Sequence, residues 1–213
     1  MAKEKKKGMN LPNKLTVLRV CMVPVFIVVM MLPASVLDPI VSGLIGVALF
    51  IAASLTDMLD GKIARARNLI TNFGKFMDPV ADKFMVIGTM LALLFRMLNP
   101  GLYGLMYPFL FKTLYFIAVV MIIFRELAIT SLRLVLVNAS GVVVAANMLG
   151  KIKTVSQIVC ICTLFIEPLL SRIFEVFSLG ILSYTTIIVT LVFTVLSGIK
   201  YIAGGWKFIS TNW

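Results

Sequence analysis

Apolar residues in this chain fall into six runs that are separated by short polar connections. Each run is long enough, or nearly so, to cross about 30 Å of hydrocarbon as a helix. The third run is the least regular, because Lys83 and Arg96 stand at its two ends around a short apolar interior. The runs cover positions 14–33, 40–59, 83–98, 109–137, 153–170 and 183–204. This pattern predicts an all-α integral membrane protein with six transmembrane helices.

The composition agrees with a membrane protein of one domain. Hydrophobic residues make up 61% of the 213 residues, compared with roughly 45–50% in soluble domains. No linker or internal repeat divides the chain. We therefore predict a polar, Lys-rich segment over 1–12, disordered over 1–8, and a single six-helix transmembrane domain over 13–213. The first apolar run is too long for the core of a signal peptide, so we expect it to be retained.

The basic residues indicate how the helices are oriented. The net charge is +11, and all basic residues except three lie near the chain termini or in the connections on the same side of the membrane as the termini; the three are Arg96, Lys112 and Arg172. Positive charge marks the cytoplasmic side of a membrane protein. Both termini and the segment 60–82 are therefore predicted to be cytoplasmic. The charge is explained by topology and by affinity for anionic lipid, not by binding of nucleic acid.

The acidic residues are few and clustered. Of nine acids in the chain, four lie within 26 positions, at Asp57, Asp60, Asp78 and Asp82. An ionised carboxylate near hydrocarbon needs a partner, so acids at a membrane boundary indicate a functional site. The chain has no histidine, which excludes Ser-His and Cys-His catalysis and any metal site with histidine ligands.

Helical spacing predicts that the four acids meet. If the second helix extends beyond the membrane, Asp57 and Asp60 share one face with Gly61 and Ala64, two small residues that leave room for a ligand. Asp78 precedes a proline, as an N-cap does, and so predicts that the third helix starts there. Asp82 follows one turn later. Antiparallel packing of the two helices would bring all four carboxylates together.

Each aspartate taken singly also has a structural interpretation. It could cap a helix or pair with a nearby basic residue, namely Lys62, Arg65 or Lys83. Four carboxylates in contact repel one another, however, and divalent cations relieve this repulsion. Clusters of oxygen ligands suit Mg²⁺, Mn²⁺ or Ca²⁺, and four acids are enough for two ions. Paired metal ions are typical of phosphoryl transfer.

The spacing of these residues resembles the signature of the CDP-alcohol phosphotransferases, D-x-x-D-G-x-x-A-R-x8-G-x3-D-x3-D. All eight fixed positions match, at Asp57, Asp60, Gly61, Ala64, Arg65, Gly74, Asp78 and Asp82. The resemblance implies the CDP-alcohol phosphotransferase fold, and an enzyme in which an alcohol displaces CMP from a CDP-linked lipid.

The resemblance also implies residue roles. Asp57, Asp60 and Asp78 would bind two divalent cations, Mg²⁺ or Mn²⁺, and Asp82 would be both a ligand and the general base. The small residues would accommodate cytidine and ribose, and the arginine would meet the diphosphate; these are Gly61, Ala64, Gly74 and Arg65.

A polar face at the start of the first helix has two interpretations. Asn13, Thr16 and Arg19 are spaced three apart. They could form an interfacial helix start in which Arg19 extends its charged head to water. The family resemblance implies instead that this face borders the nucleotide of the CDP-lipid.

A second set of basic residues could recognise a phosphate on the acceptor alcohol. Arg125 and Arg133 lie within about 80° of each other around a helix axis, and Lys151 and Lys153 follow in the next apolar segment. The alternative is a structural ion pair between Glu126 and Arg133, seven positions apart. These segments resemble the branch of the family whose acceptor is sn-glycerol 3-phosphate.

The sequence therefore supports a specific hypothesis. The enzyme would transfer the phosphatidyl group of CDP-diacylglycerol to sn-glycerol 3-phosphate at the cytoplasmic face of a bacterial cell membrane, and the resemblance implies a homodimer. Another acceptor, such as inositol phosphate or serine, remains open. An intramembrane prenyltransferase would place its acidic motifs on well-separated helices, and a cation-coupled transporter would show repeat symmetry and broken helices.

Overall fold

The computed structural model describes residues 9–67, 71–99, 107–140 and 148–209, and this part of the chain is helical. Residues 1–8, which we predicted to be disordered, lie outside the described ranges. The described residues form six long helices: α1 Leu11–Met31, α2 Pro39–Ala66, α3 Asn72–Leu98, α4 Phe109–Ser140, α5 Met148–Leu170 and α6 Ile181–Ile209. A short 3-10 helix, Glu175–Leu179, lies between α5 and α6.

Five of the six helices are long and apolar enough to span a membrane. They are α1, α2 over Pro39–Ile63, α4 over Phe109–Arg133, α5, and α6 over Ile181–Gly204. The prediction of an all-α, multi-span protein is confirmed. Helix α3 does not qualify, because the uncharged stretch between Lys83 and Arg96 is shorter than the about 20 residues that a span needs.

Buried apolar side chains from all six helices form one core. Helix α1 packs against α2 and α3, α6 packs against α4 and α5, and α3 joins the two groups through α4. The outer surface exposes large apolar residues such as Phe109, Phe116 and Ile199, as a surface facing lipid does. The core contains Met30, Phe50, Leu93, Tyr115, Leu164 and Ile187.

Helix α3 begins earlier than predicted. The structure places its N-cap at Thr71, whose hydroxyl accepts a hydrogen bond of 3.0 Å from the backbone N–H of Gly74. The prediction that Asp78 caps this helix is wrong, since Asp78 and Pro79 lie inside it. The threonine supplies the capping oxygen that the aspartate was expected to supply. The longer helix carries both of its aspartates on continuous backbone.

Helices α2 and α3 run antiparallel, as predicted. Near the end of α3, Arg96 donates hydrogen bonds to the hydroxyl of Ser42 at 2.6 Å and to the carbonyl of Pro39 at 2.8 Å, both at the start of α2. Asp60 near the end of α2 and Asp82 near the start of α3 share a partner at the opposite end. The aspartates therefore lie at the end of the bundle away from Arg96.

Candidate active site

Helix α1 connects the four aspartates. Its Arg19 lies 2.6 Å from Asp57 and 3.3 Å from Asp82 through Nη1, and pairs with Asp60 through Nη2. One turn earlier, the hydroxyl of Thr16 donates a hydrogen bond of 2.7 Å to Asp78. We call Asp57, Asp60, Asp78 and Asp82 the aspartate cluster. The structure brings together all four residues that the sequence pattern selected.

Arg19 is enclosed within this cluster. Its side chain is 0% exposed, and Asp60 is 4% exposed, whereas Asp57 and Asp82 face more open space. The alternative in which Arg19 extends to water at the membrane surface is therefore wrong. Three of the aspartates pair with Arg19 of α1. The spacing of the motif did not predict this partner, because Arg19 lies on another helix.

Asn13 and Gly74 hold α1 close to the start of α3. The side-chain oxygen of Asn13 accepts a hydrogen bond of 2.9 Å from the hydroxyl of Thr71. A Cβ atom at Gly74 would lie 3.2 Å from that Asn13 oxygen and 3.3 Å from the Thr71 hydroxyl. The space that Gly74 leaves is thus filled by these two side chains. Sequence reasoning missed Thr71, whose position just before the motif glycine was the available signal.

The other predicted nucleotide residues lie on α2. Gly61 is partly exposed, one residue beyond Asp60. Ala64 and Arg65 belong to the last turns of the same helix, and their side chains lie outside the described part of the structure. Gly61 and Ala64 therefore occupy the same helix as two of the carboxylates.

Asp82 has the most unusual ionisation. Burial first, and then the negative charge and hydrogen bonding of Asp57, raise the pKa of its carboxyl to about 7, while Arg19 acts in the opposite direction. One guanidinium does not balance four carboxylates, so like-charge repulsion remains in the cluster. A proton on Asp82 relieves part of that repulsion near neutral pH.

The donor set suits a hard cation, but the present arrangement does not form a metal site. Within the ranges that the structure describes, no group of three His, Cys, Asp or Glu side chains is arranged to hold a metal ion. The guanidinium of Arg19 stands between the carboxylates instead. Four carboxylates are the oxygen ligands that Mg²⁺ and Mn²⁺ prefer. The chemistry of these four oxygen donors thus fits a divalent cation.

A second charged group lies where α4, α5 and α6 meet. Glu126 of α4 accepts a hydrogen bond of 3.1 Å from Arg125 and pairs with Lys153, whose side chain is buried. The alternative interpretation, an ion pair between Glu126 and Arg133, is wrong, because Glu126 pairs with Arg125 and Lys153 instead. Lys151 is exposed beside this group. We call Arg125, Arg133, Lys151 and Lys153 the basic cluster.

Tyr201 of α6 organises the two arginines. Its hydroxyl accepts a hydrogen bond of 3.1 Å from Arg133. The guanidinium carbons of Arg133 and Arg125 lie 5.7 and 5.8 Å from the centre of its ring, within the range of a cation–π contact. Sequence reasoning missed Tyr201; the available signal was an amphipathic aromatic residue near the C-terminal end of the last apolar run.

Lys83 relates the two clusters in space. It follows Asp82 in α3, and its charge acts on both Glu126 and Lys153. Its amine also donates a hydrogen bond of 3.3 Å to the carbonyl of Pro79. Lys83 therefore connects α3, which carries Asp78 and Asp82, electrostatically to the basic cluster.

Comparison with known proteins gives consistent results. The family described as CDP-alcohol phosphatidyltransferase matches residues 9–196. The chain is 40% identical over 210 residues to the CDP-diacylglycerol–glycerol-3-phosphate 3-phosphatidyltransferase of Bacillus subtilis strain 168, covering 95% of this chain and 98% of that protein.

Two further relatives extend the comparison. A protein of the same name from Rickettsia felis is 35% identical over 159 residues, which cover 74% of this chain and 75% of the relative. A probable phosphatidylglycerophosphate synthase of Mycobacterium tuberculosis strain H37Rv is 32% identical over 194 residues, covering 91% of this chain and 80% of that protein.

Proposed function

This chain belongs to the CDP-alcohol phosphatidyltransferase family, and we infer that it transfers the phosphatidyl group of CDP-diacylglycerol to sn-glycerol 3-phosphate. The products are phosphatidylglycerol phosphate and CMP. The observation that carries this function is the similarity over nearly the full length of both chains to an enzyme with that name. The convergence of the four motif aspartates on α1 supports it.

In this proposal, two divalent cations, Mg²⁺ or Mn²⁺, would bind to the aspartate cluster. Asp57, Asp60, Asp78 and Asp82 would hold them. Such ions supply positive charge to a diphosphate as its P–O bond breaks. The oxygen-only donor set and the uncompensated negative charge of the cluster support this assignment.

Asp82 accepts the proton of the acceptor in the proposed reaction. The hydroxyl oxygen of the acceptor forms a bond to the phosphorus that carries the diacylglycerol, and the bond from that phosphorus to the bridging oxygen of CMP breaks. The hydroxyl proton passes to the Asp82 carboxylate. In the metal-free cluster, burial and the charge of Asp57 raise the pKa of the Asp82 carboxyl to about 7, so this environment favours acceptance of a proton by that carboxylate.

The donor lies along α1 and α2 in this proposal. Asn13, Thr16 and Arg19 border the nucleotide from α1, and the motif residues Gly61, Ala64, Arg65 and Gly74 border it from α2 and α3. Arginine suits the diphosphate, since its planar N–H groups pair with two phosphate oxygens at once. The acyl chains would enter from the bilayer beside the apolar outer surface of these helices.

The basic cluster binds the phosphate of sn-glycerol 3-phosphate in this proposal. The cluster contains four basic residues but only one acid, Glu126, and therefore has a net positive charge. The basic residues are Arg125, Arg133, Lys151 and Lys153. The Nε–H of Arg125 is buried and has no hydrogen-bond partner among the described residues. A buried donor of this kind is costly unless a ligand or water meets it. Serine carries no phosphate for this cluster to bind.

The proposed topology places the site on the cytoplasmic side of a bacterial cell membrane. Helix α3 would be the sixth span, with its charged ends shielded by α1, α2 and α4. Both termini and the 60–82 segment would be cytoplasmic, as the distribution of lysine and arginine indicates. A homodimer is part of the same proposal and follows from the family resemblance.

An acceptor panel tests the function. Purified protein in lipid nanodiscs receives CDP-diacylglycerol, Mg²⁺ or Mn²⁺, and one acceptor at a time, and CMP release is measured. We expect release with sn-glycerol 3-phosphate and little with inositol phosphate or serine. Equal rates with all acceptors would contradict the assigned specificity. The Asp82→Asn variant is the control, and it should still bind the donor while releasing no CMP.

A further inference from the structure

Arg19 occupies the position between the aspartates where a divalent cation is expected. It contacts Asp57, Asp60 and Asp82, and its side chain is 0% exposed. Its two terminal nitrogens have these carboxylate partners, while its buried Nε–H has no hydrogen-bond partner among the described side chains. The Arg19 guanidinium therefore donates to the carboxylates through its two terminal nitrogens but not through Nε.

Arg19 and the cations compete for the same oxygens. Two divalent ions would bring as much positive charge as the four carboxylates have negative charge. A guanidinium left 2.6 Å from Asp57 would then face cations of like charge across a short distance, with no negative charge left to offset the repulsion. This repulsion opposes binding of the ions while Arg19 remains paired with one oxygen each of Asp57, Asp60 and Asp82.

The side chain can leave the cluster without moving its helix. Asn13 and Thr16 hold α1 in place through their contacts with Thr71 and Asp78. Arginine has a long and flexible stem, so a rotation of the side chain alone would withdraw the guanidinium from the carboxylates. Its Nε–H and one Nη–H point the same way in a planar fork, which matches two oxygens of a phosphate.

We propose that Arg19 neutralises the aspartate cluster until divalent cations bind, is displaced by them, and then donates hydrogen bonds to the diphosphate of the CDP-lipid. This inference rests on the proposed function, in which the aspartates are metal ligands. It makes Arg19 a residue that exchanges carboxylate partners for a phosphate partner, and it accounts for the unsatisfied Nε–H. The opposite view, a permanent ion pair that shapes the metal site, predicts the reverse effect of removing Arg19.

Metal binding without lipid or nucleotide separates these two views. Free Mn²⁺ is measured by electron paramagnetic resonance during titration of the wild type, Arg19→Gln and Arg19→Lys. We expect Arg19→Gln to bind Mn²⁺ about fivefold more tightly or better, as for two sites with typical coupling, and Arg19→Lys to lie between. Unchanged or weaker binding by Arg19→Gln would overturn the proposal. The control is Arg67→Gln, which removes an exposed arginine at the end of α2 and should leave the affinity unchanged.

A measurement on the wild type avoids dependence on a variant. Phenylglyoxal modifies accessible arginines, and peptide mass spectrometry quantifies the modification at Arg19. We expect little reaction in the metal-free protein, several-fold more with saturating Mn²⁺, and protection when CDP is added to the Mn²⁺-loaded protein. Arg19 that remains unreactive with saturating Mn²⁺ would overturn the displacement. Arg67 provides the internal reference for reagent activity.

The outcomes distinguish this inference from the function on which it rests. A wild type that binds no Mn²⁺ contradicts both. A wild type that binds Mn²⁺ and releases CMP, beside an Arg19→Gln variant that gains no affinity, contradicts only the displacement of Arg19.

Discussion

Among single residues, Asp82 is distinguished from the other aspartates of the cluster by the large rise in the pKa of its carboxyl. Its pKa of about 7 arises first from burial and then from the charge of Asp57. Both causes favour the neutral carboxyl in the metal-free protein below that pH. A divalent ion binds the ionised carboxylate, so at lower pH the ion must displace a proton.

The apparent affinity for Mn²⁺ should consequently depend on pH. We expect it to fall by up to about tenfold per pH unit below pH 7, since one proton is released on binding, and to level off above about pH 8. Titrations with Mn²⁺ between pH 6 and 8.5 measure this. Asp82→Asn should lack the inflection near pH 7. A wild-type affinity that stays constant over this range would contradict the raised pKa.

Tyr201 offers a second test at the residue scale. Removing its hydroxyl in Tyr201→Phe deprives Arg133 of one hydrogen bond, worth about 0.5–1.5 kcal/mol, and should raise KM for sn-glycerol 3-phosphate a few-fold. Tyr201→Leu also removes the ring contacts and should raise it more. KM for CDP-diacylglycerol should not change, which separates a role in orienting the arginines from general destabilisation. An unchanged acceptor KM in Tyr201→Leu would refute this role.

At the scale of elements, the sequence predicted all six long helices of the described residues and the antiparallel packing of α2 on α3. Period and length were enough for this, because lipid requires long apolar segments to be helical. The start of α3 was predicted wrongly because Thr71 and Asp78 are both good caps, and only contacts with α1 select between them. The enclosure of Arg19 was missed for the same reason, since its partners lie on other helices.

The contact between α1 and α3 depends on a glycine. Gly74→Ala would place a methyl group 3.2 Å from the Asn13 side-chain oxygen and 3.3 Å from the Thr71 hydroxyl. These two hydrogen-bonded side chains would have to shift, which should cost about 1–3 kcal/mol. Gly43→Ala on α2 is a matched control, because a Cβ atom there meets nothing within 4 Å. Thermal unfolding in detergent should show a lower Tm for the first variant only. Equal Tm values would contradict the close contact.

The end of the bundle away from the aspartates has its own polar centre. Glu167 of α5 is 0% exposed and accepts hydrogen bonds of 2.9 Å from the backbone N–H groups of Leu182 and Ser183, at the start of α6. The hydroxyl of Tyr107 donates a third, at 3.2 Å. This carboxylate accepts hydrogen bonds from backbone N–H groups of the first turn of α6, which have no acceptor within their own helix.

Removing this cap should weaken the fold without affecting the cation site. Glu167→Ala leaves buried donors unpaired, at about 1–3 kcal/mol for each group, so the Tm should fall clearly. The affinity of the folded variant for Mn²⁺ should equal that of the wild type, because the aspartate cluster lies at the other end. A loss of Mn²⁺ affinity in folded Glu167→Ala would show that the two ends are coupled.

At the scale of the whole molecule, polar and charged side chains lie at both ends of the helix bundle. At one end, Arg96 and Glu167 form hydrogen bonds to neighbouring helices. The aspartate cluster and the basic cluster lie at the other end. The motif predicted the aspartates because their spacing is local. The basic cluster and its surroundings were predicted only in part, because the contact of Arg133 with Tyr201 joins residues on different helices that no periodicity links.

The most direct test of the central claim follows the acceptor into the lipid. Purified protein is given CDP-diacylglycerol, Mn²⁺ and radiolabelled sn-glycerol 3-phosphate, and CMP and lipid-extractable label are measured together. The account predicts that both appear in equal amounts, and that neither appears in Asp82→Asn or when the divalent cation is chelated. CMP release without label in the lipid, or labelling that persists without a divalent cation, would contradict it.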